Sequence, residues 1–171
     1  LQLNLPYIVS LRGSDVPFYS SRFYWLDRLL FKRLSGKIWA GARKVVANSQ
    51  GLKNLANSSY PNIYIEVIPN GVDSDEFEPS DSKSNTFRIL CVSRLIERKG
   101  IECLIEAVNF LRDRDIELKI VGRGNKEFEL KKYVKNLNLS SKIKFLGNLP
   151  HNEMPEIYQS SDIFVLPSLN E

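Results

Sequence analysis

The chain has one histidine and two cysteines among 171 residues, so a metal centre built from clustered imidazoles and thiolates has little to draw on. Cys91 and Cys103 show neither metal-ligand spacing nor a redox motif, and both read as buried reduced thiols. No apolar stretch approaches the roughly 20 residues that a spanning helix needs. The opening LQLNLPYIVS lacks the charged start and the small-residue cleavage site of a secretory signal, and a cytoplasmic setting is the expectation. A nicotinamide cofactor also has little support. After Gly122 and Gly124 the third glycine of G-x-G-x-x-G would fall at 127, where the chain has Glu127.

What is present is ordinary globular material. With 43% hydrophobic and 26% charged residues the chain is neither disordered nor fibrous, and it can bury a core of one large or two small domains. The net charge of +4 is unevenly placed: residues 1–50 hold eight Lys/Arg against two Asp, giving +6 and leaving −2 for the rest. The front part is therefore expected to meet something anionic. Nothing calls for a nucleic-acid partner. The chain begins at Leu1 and stops at Glu171 straight after a strand-like run, and it reads as a piece of a longer protein.

Short apolar runs alternate with stretches of helical period. YIVSL (7–11), KVVA (44–47) and IYIEVI (63–68) read as strands, separated by helical stretches near 21–35 and 50–57. The pattern then repeats with FRILCV (87–92), ELKIVG (117–122), KIKFLG (142–147) and DIFVLP (162–167), separated by helices over 100–112, 126–136 and 153–160. Strand, helix, strand in steady succession predicts an α/β chain with parallel sheets flanked by helices. PNGVDSDEFEPSDSKSN (69–85), rich in Pro, Gly, Asp and Ser, reads as a connection between domains. The expected division is 1–75, a linker at 76–86, and 87–171.

In open α/β sheets, ligands sit outside the carboxyl ends of the strands. That places weight on four loops expected to share one edge: SRLIERKG (93–100), GRGN (122–125), GNLPHN (147–152) and PSLNE (167–171). In the first, Arg94 and Lys99 are either solvated turn charges, paired with Glu97 or Glu102, or a clamp for a diphosphate. Arginine offers a planar fork and lysine a compact charge, and a helix beginning near Gly100 would aim its positive end there. GRGN is either a plain left-handed turn or a place where backbone amides approach a ligand.

Taken together, IPNGVDSDEF (68–77), VSRLIERKG (92–100), VGRGNKEFEL (121–130), FLGNLPHNEMPEIYQSSD (145–162) and FVLPSLNE (164–171) resemble the retaining glycosyltransferases of family four. The resemblance covers about 100 residues without a break, and five motifs in order are far more specific than any one. It implies a GT-B fold of two Rossmann-like domains, of which this chain would hold the end of the acceptor-side domain and the first part of the donor domain. It implies a nucleotide-diphosphate sugar as donor, no cofactor, and usually no metal; Asp73 and Asp75 lie in the linker and not at a strand end. The acceptor would be a saccharide or a lipid-linked one.

Residue by residue, the resemblance assigns the donor diphosphate to Arg94 and Lys99, a donor loop to Gly122 and Gly124, and the base to the backbone of Leu146, Gly147, Asn148 and Leu149. Glu171 matches the first glutamate of an E-x7-E motif and is the residue expected on the transferred sugar. In the front part, Arg12 stands where many relatives have a histidine before a glycine, with Gly13 matching. Arg12 either contacts a phosphate or pairs with Asp15. Ser49 is expected to cap a helix.

Within 21–35, Phe23, Leu26, Leu30 and Leu34 form a buried stripe, and Trp25, Arg28, Leu29 and Lys32 a basic face. That face either packs inside a larger domain or touches an anionic membrane peripherally. His151 is given no catalytic role; Asn152 is expected to cap the helix after it, with Pro155 in its first turn. Two other readings stand beside the transferase: a GT-B nucleotide-sugar epimerase, and an inactive piece that only binds nucleotide.

Overall fold

The computed structural model describes residues 5–19, 31–79 and 85–169. Its elements follow the alternation of the sequence. In the first unit β1 (Ile8–Leu11), α1 (Lys32–Gly41), β2 (Lys44–Ala47), α2 (Gln50–Ser59) and β3 (Ile65–Val67) succeed one another. In the second, β4 (Phe87–Val92), α3 (Ile101–Phe110), β5 (Ile116–Val121), α4 (Glu127–Asn136), β6 (Ile143–Gly147), α5 (Met154–Gln159) and β7 (Ile163–Phe164) do the same. The chain divides between Val72 and Asp73 into two compact units, each with its own sheet and core. No helix among the described residues is long and apolar enough to cross a membrane.

Every strand pair is parallel. The first sheet runs β1-β2-β3, with Val9 opposite Val45 and Val45 opposite Ile65. Its core gathers Leu11, Val45, Ala47, Leu52, Ala56 and Ile65, closed on one side by Trp39, whose ring meets that of Tyr60 edge-on at 4.7 Å.

The second sheet runs β6-β5-β4-β7. The middle of β4 is buried throughout, Ile89, Leu90 and Cys91, as expected of a parallel strand covered by helices on both faces. Leu118, Ile120, Ile105 and Leu130 fill the same core, and burying each such side chain contributes about 1.5–3 kcal/mol. The strand order matters for the site. From β4 the chain advances to β5 and β6, then returns across the sheet to lay β7 on the other side of β4. The direction of winding reverses between β4 and β7, and a crevice opens outside their carboxyl ends.

Several expectations need correction. Of the helix expected over 21–35, residues 21–30 lie outside the described residues; its expected end is corrected, since the helix Lys32–Gly41 passes through Ser35 and Gly36. Gly36 sits inside it because a methyl there would come within 2.8 Å of the Tyr60 ring, so packing overrides the low helix propensity of glycine. Leu34 is 53% exposed, not part of a buried stripe. The residues Phe23, Trp25, Leu26, Arg28, Leu29 and Leu30 lie outside the described residues, as does Glu171.

Cys91 is buried, but Cys103 is exposed. Ile101, Leu104, Ile105 and Val108 form the inner stripe of α3, and position 103 turns to the opposite side. Asn152 does not cap α5, because 151–153 already coil as a 3-10 turn and the extended residue an N-cap requires is displaced back to Pro150. Only Ile163 and Phe164 of DIFVLP pair as a strand; Val165 adds a single bond to the Leu90 carbonyl, and Pro167 has no N–H to give.

Candidate functional site

The loop after β4 is anchored from below by Leu95, which is fully buried, while Arg94 is exposed beside it. Glu97–Lys99 form one 3-10 turn, closed by Gly100 in the left-handed region at φ 59°, and α3 starts at once from Ile101. The positive end of α3 therefore begins where Lys99 stands.

Gly100 is required by close approach as well as by its backbone. A methyl there would lie 2.3 Å from the carbonyl oxygen of Pro167, so the loops after β4 and β7 touch backbone to backbone. Two further bonds fix the contact. The Leu169 N–H donates to the Arg98 carbonyl at 2.9 Å, and the Lys99 ammonium donates to Ser168 Oγ at 3.3 Å.

On the other side of β4 the loop after β5 is interlocked in the same manner. The N–H of Leu95 donates to the Arg123 carbonyl at 2.9 Å and that of Lys126 to the Leu95 carbonyl at 3.0 Å, carrying the pairing of β4 and β5 beyond the ladder itself. A methyl on Gly122 would stand 2.0 Å from the Ser93 carbonyl oxygen, and one on Gly124 2.1 Å from that of Leu95. Chain packing alone thus demands both glycines. Gly122 also donates to the Gly147 carbonyl at 2.7 Å, bringing in the loop after β6, where Gly147 turns at φ 70° with Asn148 exposed and Leu149 half-buried beyond it.

The structure therefore brings Arg94, Lys99, Gly122, Gly124, Gly147, Asn148 and Leu149 to one edge of the second sheet. An open hollow of about 600 Å³ lies there, lined by Ile96, Glu97, Arg98, Asn125 and Leu169. Arg94 makes no hydrogen bond or ion pair through its guanidinium with the described residues, which leaves that cation available. Beneath the loop, burial pushes the Cys91 thiol up, offset in part by a hydrogen bond with Ser93 and by the charge of Lys99. That thiol stays neutral at ordinary pH and serves as core.

Arg12 and Gly13 stand at the carboxyl end of β1 in the first unit. Asp15 does not engage the arginine side chain. Its carboxylate receives the backbone N–H groups of Arg12 at 2.9 Å and Gly13 at 2.8 Å, forming a tight turn with the guanidinium exposed. Gly13, at φ 140°, is buried against the Tyr19 ring. Ser49 caps α2, its Oγ accepting from the Leu52 N–H at 3.2 Å. His151 lies 3.6 Å from Glu76 at the surface.

Sequence reasoning missed the part played by Ser168, by the carbonyl of Pro167 and by Gly100. All three sit inside segments already singled out, but their contact joins positions almost 70 residues apart, which no local pattern reveals.

Known proteins resemble this chain. The mannosyltransferase of Mycolicibacterium smegmatis described as GDP-mannose-dependent alpha-(1-6)-phosphatidylinositol monomannoside mannosyltransferase is 32% identical over 125 residues, 66% of this chain and 33% of that one. The D-inositol 3-phosphate glycosyltransferase of Pseudarthrobacter chlorophenolicus is 30% identical over 152 residues, 79% of this chain and 36% of the relative. The chain thus spans about a third of the length of the curated relatives it matches.

Among solved structures, Anabaena Alr3699/HepE in complex with UDP and glucose superposes with a TM-score of 0.74 at 22% identity, covering 95% of this chain and 46% of that one. Sucrose-phosphate synthase from Thermosynechococcus elongatus gives 0.78 at 22% identity, covering 99% and 46%. These likenesses agree in fold with the two Rossmann-like α/β units of a GT-B architecture. The model of the family described as glycosyl transferases group 1 matches residues 72–171. Because that match runs through all four of the interlocked loops, the chain belongs to the group 1 glycosyl transferases.

Proposed function

We propose that the complete protein transfers a hexose or related sugar from a nucleotide-diphosphate donor to a saccharide or lipid-linked acceptor, with retention of configuration and without a metal. In this reading the second unit holds the donor and the first unit serves the acceptor side. The carrying observation is the crevice at the winding reversal. There the loops after β4 and β7 meet through Lys99 and Ser168, with Arg94 exposed beside them and the start of α3 adding its positive end.

The chemistry suits such a place. Transfer breaks the bond between the anomeric carbon and the phosphate oxygen, and the electron pair stays on the departing diphosphate. Cations held in advance where that charge develops lower the barrier without reorganising at the moment of reaction. Arg94 and Lys99 are the groups proposed for this. Gly122, Gly124 and the backbone of Gly147, Asn148 and Leu149 are proposed to carry the rest of the nucleotide, Glu171 to contact the sugar, and Arg12 with Gly13 to meet a phosphate from the first unit. The relatives support the donor class, one being named for GDP-mannose and a fold neighbour having been solved with UDP. That same relative, named also for a phosphatidylinositol monomannoside, and another named for amylovoran biosynthesis support glycolipid or polysaccharide assembly, for which a cytoplasmic site at or near the membrane face is proposed.

The test is turnover of nucleotide sugars by the complete protein. A hydrogen bond to a charged group is worth about 1.5–3 kcal/mol, so Arg94→Ala or Lys99→Ala should lower kcat by about tenfold to a hundredfold or more. Full activity in both variants would reject the clamp.

A further inference from the structure

We propose that Asn70 is a site of spontaneous covalent modification: its side-chain amide is lost through a succinimide formed with the nitrogen of Gly71, leaving isoaspartate or aspartate in the segment that joins the two units. The inference goes beyond the donor reading and does not depend on it. Asn70 and Gly71 make the one Asn-Gly step in the sequence, and they lie just before the division between Val72 and Asp73.

The step balances without an oxidant or a cofactor. The backbone nitrogen of Gly71 attacks Cγ of Asn70, a bond forms between them, the bond from Cγ to the side-chain nitrogen breaks, and ammonia leaves with the amide proton. Water then opens the cyclic imide at either carbonyl, giving isoaspartate by one route and aspartate by the other. The attack needs a nitrogen free of hydrogen bonds, a backbone that can swing it onto the side chain, and no Cβ in the way. Glycine supplies the last two. Asparagine is accordingly one of the thermolabile residues.

The structure meets the first need at Gly71. The Ile68 N–H is bonded to the Ala47 carbonyl at 2.9 Å, and the next fixed point is Asp73, whose carboxylate accepts the Asp75 N–H at 3.1 Å. Between them Pro69, Asn70, Gly71 and Val72 are exposed and make no hydrogen bond with the described residues. A methyl built on Gly71 would meet nothing within 4 Å, so the nitrogen has room to turn.

Other asparagines are refused. The amide after Asn125 is spent on the Leu95 carbonyl at 3.0 Å, that after Asn138 on Val134 at 3.0 Å, and that after Asn152 on Pro150 at 3.1 Å. Asn148 is exposed on its loop, but Leu149 follows it with a branched side chain. Either product at 70 adds a carboxylate close in sequence to Asp73 and Asp75, and isoaspartate also inserts a carbon into the backbone of the connection.

The experiment incubates the complete folded protein at mildly alkaline pH, beside a synthetic peptide of residues 67–74, and follows both by peptide mass spectrometry. Methylation by an isoaspartate methyltransferase gives a second readout. The segment holding Asn70 should gain the one mass unit that separates –OH from –NH2, at a rate comparable to that of the free peptide, while Asn125 and Asn148 stay unchanged. Gly71→Ala should slow the shift strongly, and Asn70→Ser should abolish both the shift and the methylation. An Asn70 that keeps its amide in the folded protein, or loses it far more slowly than the free peptide does, overturns the proposal. So does an equal rate in Gly71→Ala, or faster conversion at Asn148.

Discussion

The ammonium of Lys99 donates to the hydroxyl of Ser168 across 3.3 Å, joining two residues 69 positions apart in the chain. Through this bond the loop that follows β7 holds a cation of the loop that follows β4. It acts at the one place where the winding of the second sheet reverses. The positions of the two loops are set by backbone contacts nearby, so the hydroxyl's task is to aim the lysine.

Ser168→Ala should therefore be milder than loss of the lysine itself. A neutral hydrogen bond contributes about 0.5–1.5 kcal/mol net, so kcat of the complete protein should fall about two- to tenfold with KM for the donor changed less. Steady-state kinetics on Ser168→Ala and Ser168→Thr decides it. Threonine keeps the hydroxyl and should recover most of the loss.

Gly100→Ala is expected to cost stability as well as activity. The left-handed backbone at φ 59° costs a residue with a side chain about 1–2 kcal/mol, and the new methyl would collide with the Pro167 carbonyl at 2.3 Å. Urea unfolding should show a loss of about 2 kcal/mol or more.

Two glycines should respond in opposite directions. Gly51 lies within α2 with open space around it, so Gly51→Ala should stabilise by about 0.5–1 kcal/mol. Gly124 faces the Leu95 carbonyl oxygen at 2.1 Å, and Gly124→Ala should destabilise by about 1–3 kcal/mol. Thermal unfolding of the pair, measured side by side, checks the geometry.

At the opposite end of the second sheet, Asp162 accepts the Arg88 backbone N–H at 2.6 Å and its guanidinium at 3.3 Å, fastening the start of β7 to β4. These bonds from Arg88 hold the carboxyl below its ordinary value. A depressed folded-state pKa contributes stability that is complete above the unfolded value and is lost as pH falls through the folded one. The stability gap between wild type and Asp162→Asn should be full at neutral pH and close as the solution is acidified below the ordinary aspartate range. A gap independent of pH would contradict the assignment.

Thiol labelling separates the two cysteines. Cys103 should react in the native protein. Cys91, fully buried with its thiol pushed up by burial, should react only on unfolding.

Much of the fold was legible. KVVA and FRILCV form strands over the very residues expected, and α2, α3 and α4 lie within one or two residues of the stretches read from helical spacing. The elements misjudged are those where distant packing decides. The helix Lys32–Gly41 continues through Gly36 because Tyr60, 24 positions later in the sequence, occupies the space that a side chain would need. β7 pairs only through Ile163 and Phe164 although β4 runs on to Val92; Val165 adds one bond and Pro167 has no N–H to continue the ladder.

By itself the sequence determined the periodicities, the two-unit α/β class and the four loops at strand ends. Apolar spacing and turn residues are local properties, and the chemistry of Arg94, Lys99, GRGN and LGNL is carried by residue type. Only the tertiary structure decided that β7 returns beside β4, that Gly100 lies on Pro167 and Ser168 on Lys99, and that the Gly122 N–H meets the Gly147 carbonyl. Those relations come from backbone groups brought together across the sheet. A backbone carbonyl or N–H is the same in every residue, so nothing in the string of side chains announces where it will be met.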